Sequence, residues 1–83
     1  MYQQTETIVM KFKKLKSGIN AEWKAETSKG TYFINKMETS WVSYEVCVYL
    51  NDGSYKMLKS HGYITSYLRD CKDIAEKHFK ELK

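Results

Sequence analysis

The sequence predicts an α+β domain: an antiparallel β-meander of four to five strands with one C-terminal α-helix packed on one face. Three observations carry this. Short apolar runs are punctuated by LKSGI at 15–19, TSKGT at 27–31, METSW at 37–41 and LNDGS at 50–54. The Gly, Ser, Asn and Asp in these clusters tolerate tight turns. The runs between them alternate apolar and polar residues with period two, and the last segment switches to the period of a helix.

The first segment, TIVMKFKKL at 7–15, fits two elements. As a strand it puts Ile8, Met10 and Phe12 on one face. As a helix it lines up Ile8, Phe12 and Leu15, with Thr5 or Thr7 as N-cap. The strand is preferred, because β-branched Ile8 and Val9 open the segment and Ser17–Gly18 turns it into a clear strand. That clear strand is INAEWKAET at 19–27. Ile19, Ala21, Trp23 and Ala25 alternate with Asn20, Glu22, Lys24 and Glu26, so one face is apolar and the other charged.

WVSYEVCVYL at 41–50 is the richest in β-formers. Val42, Tyr44, Val46, Val48 and Leu50 point one way; Trp41, Ser43, Glu45, Cys47 and Tyr49 point the other. The aliphatic set must meet a core, and the mixed set marks a partly wet back face. GTYFINKM and SYKMLKS flank this segment as strands three and five. The Asp52–Gly53 pair suits a type I′ hairpin turn.

The last segment reads as a helix over 66–82, with Thr65 or Ser66 as N-cap. Tyr67, Leu68, Cys71, Ile74, Ala75, His78, Phe79 and Leu82 form one stripe. Asp70, Lys72, Asp73, Glu76, Lys77, Lys80 and Glu81 fill the other side. Asp73–Lys77 and Glu76–Lys80 have the acid-before-base spacing that supports a helix. The stripe belongs on the aliphatic face of the sheet, with Cys71 and Ala75 permitting close approach.

A chain of 83 residues makes one domain, with 7–60 as the meander and residues 1–6 read as a disordered lead. Its 42 % hydrophobic and 14 % aromatic content is that of a folded chain. No apolar run approaches the roughly 18 residues of a membrane span, and the start lacks the pattern of a secretory signal. A cytoplasmic location is expected, with Cys47 and Cys71 as reduced core thiols. The net charge of +4 comes from 13 lysines and one arginine, Arg69. Arginine is the usual bidentate reader of guanine and phosphate, so its scarcity disfavours duplex reading.

The chemistry-bearing residues do not assemble into a catalytic motif. Zinc takes about four ligands, usually in close pairs, whereas Cys47, His61, Cys71 and His78 stand singly, at gaps of 14, 10 and 7. Cys71 and His78 are two helical turns apart, about 10 Å. Burial in the stripe would quiet Cys71 as a nucleophile. Glu22 and Glu26 share a strand face but belong to an ordinary solvated alternation. Glycines at 18, 30, 53 and 62 all fit turns, and none makes a phosphate loop. The expectation is a non-enzyme, with no catalytic residue, metal or cofactor.

Two surfaces remain. Lys11, Lys13, Lys14 and Lys16 could lie along a phosphate backbone, or protect an edge strand from aggregation. The second use is preferred. Trp41 and Tyr49, joined by Tyr32 and Tyr55, are candidates for the back face of the sheet. There they would stack on single-stranded bases or anchor a protein partner. Glu22, Glu26, Glu38 and Glu45 among the lysines favour a protein. A homodimer paired through edge strands is a further alternative.

The stretch WVSYEVCVYLNDGSYKMLKSHGYITSYLRDCKDIAEKHF, about half the chain, resembles the three-stranded DNA-binding arms of phage-type integrases in its order of strand, DG turn, strand and helix. More generally the chain resembles small accessory proteins of phages and mobile elements. That likeness implies an inhibitor or adaptor that binds a protein, in a host cytoplasm, by steric occlusion. If 7–15 were helical, the order would instead resemble a double-stranded-RNA-binding domain.

Overall fold

The computed structural model describes residues 10–38, 42–60 and 67–82. Five strands, β1 (Lys13–Lys16), β2 (Glu22–Glu26), β3 (Gly30–Glu38), β4 (Val42–Leu50) and β5 (Tyr55–Lys59), precede one helix, α1 (Leu68–Glu81). The strands form a single sheet in chain order, every neighbouring pair antiparallel. The chain therefore belongs to the α+β class, a five-stranded meander with a C-terminal helix. None of the described helices is long and apolar enough to cross a membrane.

The two long central strands pair along their whole length, from Gly30 opposite Leu50 to Glu38 opposite Val42. Their period-two pattern puts Tyr32, Ile34, Val46 and Val48 on one side, all fully buried. Ala21, Trp23 and Ala25 extend this side across β2, and Trp23 leans on Tyr44 with ring centroids 6.2 Å apart. The helix crosses β3, β4 and β5 on the same side. Cys71 and Ala75 are its buried contacts, flanked by Leu68, Ile74 and Phe79. Small side chains at these two positions let the helix axis sit close to the branched residues of β4.

Three local expectations are corrected. Ile19 does not continue the apolar face of β2; it sits in the β1–β2 turn and is 63 % exposed. Tyr67, assigned to the helical stripe, is the helix N-cap residue itself, exposed and in extended conformation, with no side-chain capping bond. The expected caps, Thr65 and Ser66, lie outside the described residues. The β4–β5 connection is not the two-residue type I′ turn. Gly53 N–H donates to the Leu50 carbonyl at 2.9 Å, Leu50 N–H donates to the Ser54 carbonyl at 2.8 Å, and Gly53 closes a three-residue loop at φ +93°. A three-residue loop closed by a left-handed glycine satisfies the hairpin twist, and Asp52 accepts from the Ser54 amide and hydroxyl.

Gly30 ends the Thr27–Gly30 turn, but it is packing against β4 rather than a left-handed conformation that requires glycine there. It opens β3 and is buried, and a Cβ built on it would lie 2.6 Å from the Tyr49 carbonyl oxygen. The turn before it is held by Thr27, whose hydroxyl donates to the Gly30 carbonyl at 2.7 Å and accepts from the Lys29 and Gly30 amides.

The ambiguous first segment is a strand over Lys13–Lys16, short, exposed throughout, and broken by an irregularity between Lys14 and Lys16. Met10, just before it, is buried, and its backbone N–H donates to the Glu76 carboxylate on α1 at 3.3 Å. Residues 1–9 lie outside the described range, as does the expectation of disorder at 1–6.

Candidate functional site

The face of the sheet away from the helix carries the candidate site. Antiparallel register sets its rows. Lys13, Lys24, Phe33, Cys47 and Met57 lie side by side across all five strands. The next row holds Glu26, Thr31, Tyr49 and Tyr55, and the row on the other side Glu22, Asn35 and Glu45. Alternation along the chain puts Phe33 here because Tyr32 and Ile34 on either side of it are buried toward the helix, and Tyr49 here because Val48 before it is buried.

Three aromatic rings form a continuous patch. Phe33 meets Tyr49 edge-on, with centroids 5.7 Å apart and planes at 90°, and Tyr49 leans against Tyr55 at 4.8 Å. Tyr49 is 52 % and Tyr55 49 % exposed, and Met57 adds a further partly exposed apolar side chain. Rings held by one another on a rigid sheet lose little conformational entropy when a partner covers them, which suits an interface anchor. Cys47 lies under this patch. Burial pushes its thiol pKa up, partly offset by a hydrogen bond with Tyr55, whose own pKa is also raised. A raised thiol pKa favours the protonated form, and the side chain packs beneath the rings.

Charges of both signs border the patch. Glu45 accepts from the Asn35 side-chain amide at 3.0 Å, and Lys24 pairs with Glu26 at 3.2 Å. Lys13 stands directly opposite Lys24, so the Lys24–Glu26 pair relieves what would otherwise be like-charge repulsion. Lys11, Lys13 and Lys24, with Leu15 and Glu26, line a shallow hollow of about 400 Å³.

The expected site residues separate into three groups. Tyr49 and Tyr55 share the open face as expected. Tyr32 does not, which is a correction: it is fully buried on the helix side, and its hydroxyl lies 2.7 Å from Nδ1 of His78. Trp41 lies outside the described residues. The four lysines do not form one stripe. Lys13 takes the open face, while Lys14, opposite Trp23, sits over that ring on the other side at 5.5 Å. Phe33 and Met57 are the residues that sequence reasoning missed. Alternation within GTYFINKM was the signal for both Tyr32 and Phe33, since placing Ile34 in the core sends Tyr32 inward and Phe33 outward.

On the helix side, burial lowers the His78 pKa, assisted by the nearby Lys56, and raises that of Cys71. His78 is committed to the Tyr32 contact. Cys47 and Cys71 are both free thiols on opposite faces of the sheet. Among the described residues no group of three His, Cys, Asp or Glu side chains converges to hold a metal, and His61 lies outside them.

Comparison of the chain with known protein families, curated proteins and solved structures found no match.

Proposed function

We propose that the chain is a non-enzymatic binding module that docks a protein partner on the open face of its sheet, as an adaptor or as an inhibitor acting by occlusion. The observation that carries this reading is the Phe33–Tyr49–Tyr55 cluster, half exposed on a sheet whose other face already has its helix. The mixed border of Glu22, Glu26, Glu45, Lys13 and Lys24 supports a protein surface, which carries both signs, over a uniformly anionic backbone. The test compares affinity capture by the wild-type chain with capture by a Tyr49→Ser/Tyr55→Ser variant of unchanged circular dichroism. A partner held by the first and lost by the second supports the reading. A partner held equally by both removes the face from consideration.

A second reading rests on the hollow lined by Lys11, Lys13 and Lys24. Lys13 and Lys24 share a row with Phe33, two strand spacings or about 10 Å from Lys13. That spacing suits a phosphate on the lysines and a base on the ring of single-stranded nucleic acid. Lys14 and Lys16 add charge at the same edge.

A further inference from the structure

The two edges of the sheet are built differently. At the β1 edge, four residues carry three lysines and an irregularity in register, the features that keep other strands away. The β5 edge has another character. Among the described residues β5 pairs with β4 alone. The hydrogen bond from Leu50 N–H to Ser54 carbonyl sets the alternation of this ladder. Val48 and Lys56 are then the next bonded pair, while Tyr55 and Met57, opposite Tyr49 and Cys47, turn their N–H and C=O groups away from β4. Two consecutive outward donor–acceptor sets therefore line the edge.

Beside that edge, on the helix side, runs a groove of about 390 Å³ between β5 and α1. Leu58 and Ile74, both partly buried against the core, give it apolar lining. Lys56 and Lys77 stand at its walls with Glu81, and burial, assisted by Lys56 and opposed by Glu81, lowers the pKa of His78 beside them. Lys59, at the end of β5, adds a third cation near this side, its ammonium donating to the Tyr44 carbonyl at 3.0 Å.

We propose that this edge and groove receive an extended acidic segment of a partner protein by strand addition. The segment pairs with the outward groups of Tyr55 and Met57. Every second side chain drops into the groove, apolar ones onto Leu58 and Ile74 and acidic ones toward Lys56 and Lys77. Acidity follows from the charge of the walls. A second copy of β5 would instead bring Lys56 of each chain toward the other. The proposal goes beyond the sheet-face reading and does not depend on it, because it uses the backbone of Tyr55 and none of the three rings.

The test titrates the full chain with a labelled peptide of alternating glutamate and valine, about eight residues long. Controls are an alternating lysine–valine peptide and a glutamate–valine peptide interrupted by proline. Saturable binding of the first peptide alone is expected, with slowed amide exchange at Tyr55 and Met57. Met57→Pro removes one outward donor and leaves the ladder to β4 intact; it should weaken binding about tenfold. Lys56→Glu/Lys77→Glu should lose the acidic peptide and gain the basic one, and keeps the test decisive if the proline variant unfolds. Equal binding of the proline-interrupted peptide would overturn strand addition in favour of charge alone. Dimerisation in light scattering, abolished by Met57→Pro and unaccompanied by peptide binding, would assign the edge to a second copy.

Discussion

At the scale of single residues, two positions couple the sheet to what lies against it. Gly30 has no room for a methyl group, because the Tyr49 carbonyl and the Leu50 Cα both stand within 3 Å of where its Cβ would be. Those are backbone atoms of a central strand and cannot swing aside. Gly30→Ala should therefore cost about 1–3 kcal/mol by urea denaturation, whereas a glycine needed only for a turn would show a φ-dependent cost without repacking. The second position is His78. Its Nδ1 faces the Tyr32 hydroxyl inside the molecule, and burial holds its pKa below the usual 6.5. The unfolded chain then binds more protons than the folded chain at pH values just below 6.5. Stability is complete above that value and declines as pH falls through it toward the folded pKa. A urea midpoint measured from pH 8 to pH 5 should fall across this window, and His78→Gln should flatten the fall.

At the scale of elements, the helix is placed by its small residues. Cys71 and Ala75 are fully buried at the contact, while larger Leu68, Ile74 and Phe79 flank it. Ala75→Leu should force the helix off β4 and cost about 1–3 kcal/mol. The same change at the exposed Asp73 should stay within about 0.5 kcal/mol; equal effects in denaturant would contradict the packing described. Neither Asp73–Lys77 nor Glu76–Lys80 reaches ion-pair distance among the described residues, and Glu76 instead accepts from Met10. The C-terminal end is tied by Lys29, whose ammonium donates to the Leu82 carbonyl at 2.8 Å and lies over the Phe79 ring. A hairpin turn thus holds the end of the helix, a contact between residues 53 apart in the chain.

At the scale of the whole molecule, one sheet face is occupied by a helix and the other presents aromatic rings. Tyr49→Ser/Tyr55→Ser should leave thermal stability little changed while removing partner binding, since half-exposed rings contribute more to an interface than to the fold. The nucleic-acid reading has its own signature. Binding to single-stranded DNA should weaken by orders of magnitude between about 50 and 200 mM salt if several of Lys11, Lys13, Lys14 and Lys16 touch phosphate. Absence of binding at the lower salt concentration would remove that reading and leave the protein surface.

The order of elements was legible in the chain because each depends on local pattern. Turn clusters mark the hairpins, period two marks β2 and β4, and the spacing of Cys71, Ile74, Ala75 and His78 marks the helix. The back face was legible in part. Cys47 and Tyr49 follow from the alternation of β4, and Tyr55 from the hairpin that pairs it with Tyr49. What lay beyond local pattern was decided by register and by neighbours from distant parts of the chain. Tyr32 is polar-tipped and aromatic, a plausible surface residue until His78, 46 positions away, supplies its hydroxyl with a partner. The requirement for glycine at position 30 arises from the backbone of β4, not from a turn. The outward groups of Tyr55 and Met57 exist only because Leu50 and Ser54 fix which residues of β5 face β4. Periodicity assigns a residue to a side of its own element; only tertiary structure decides what stands opposite, because burial and hydrogen-bond partners are properties of packed pairs.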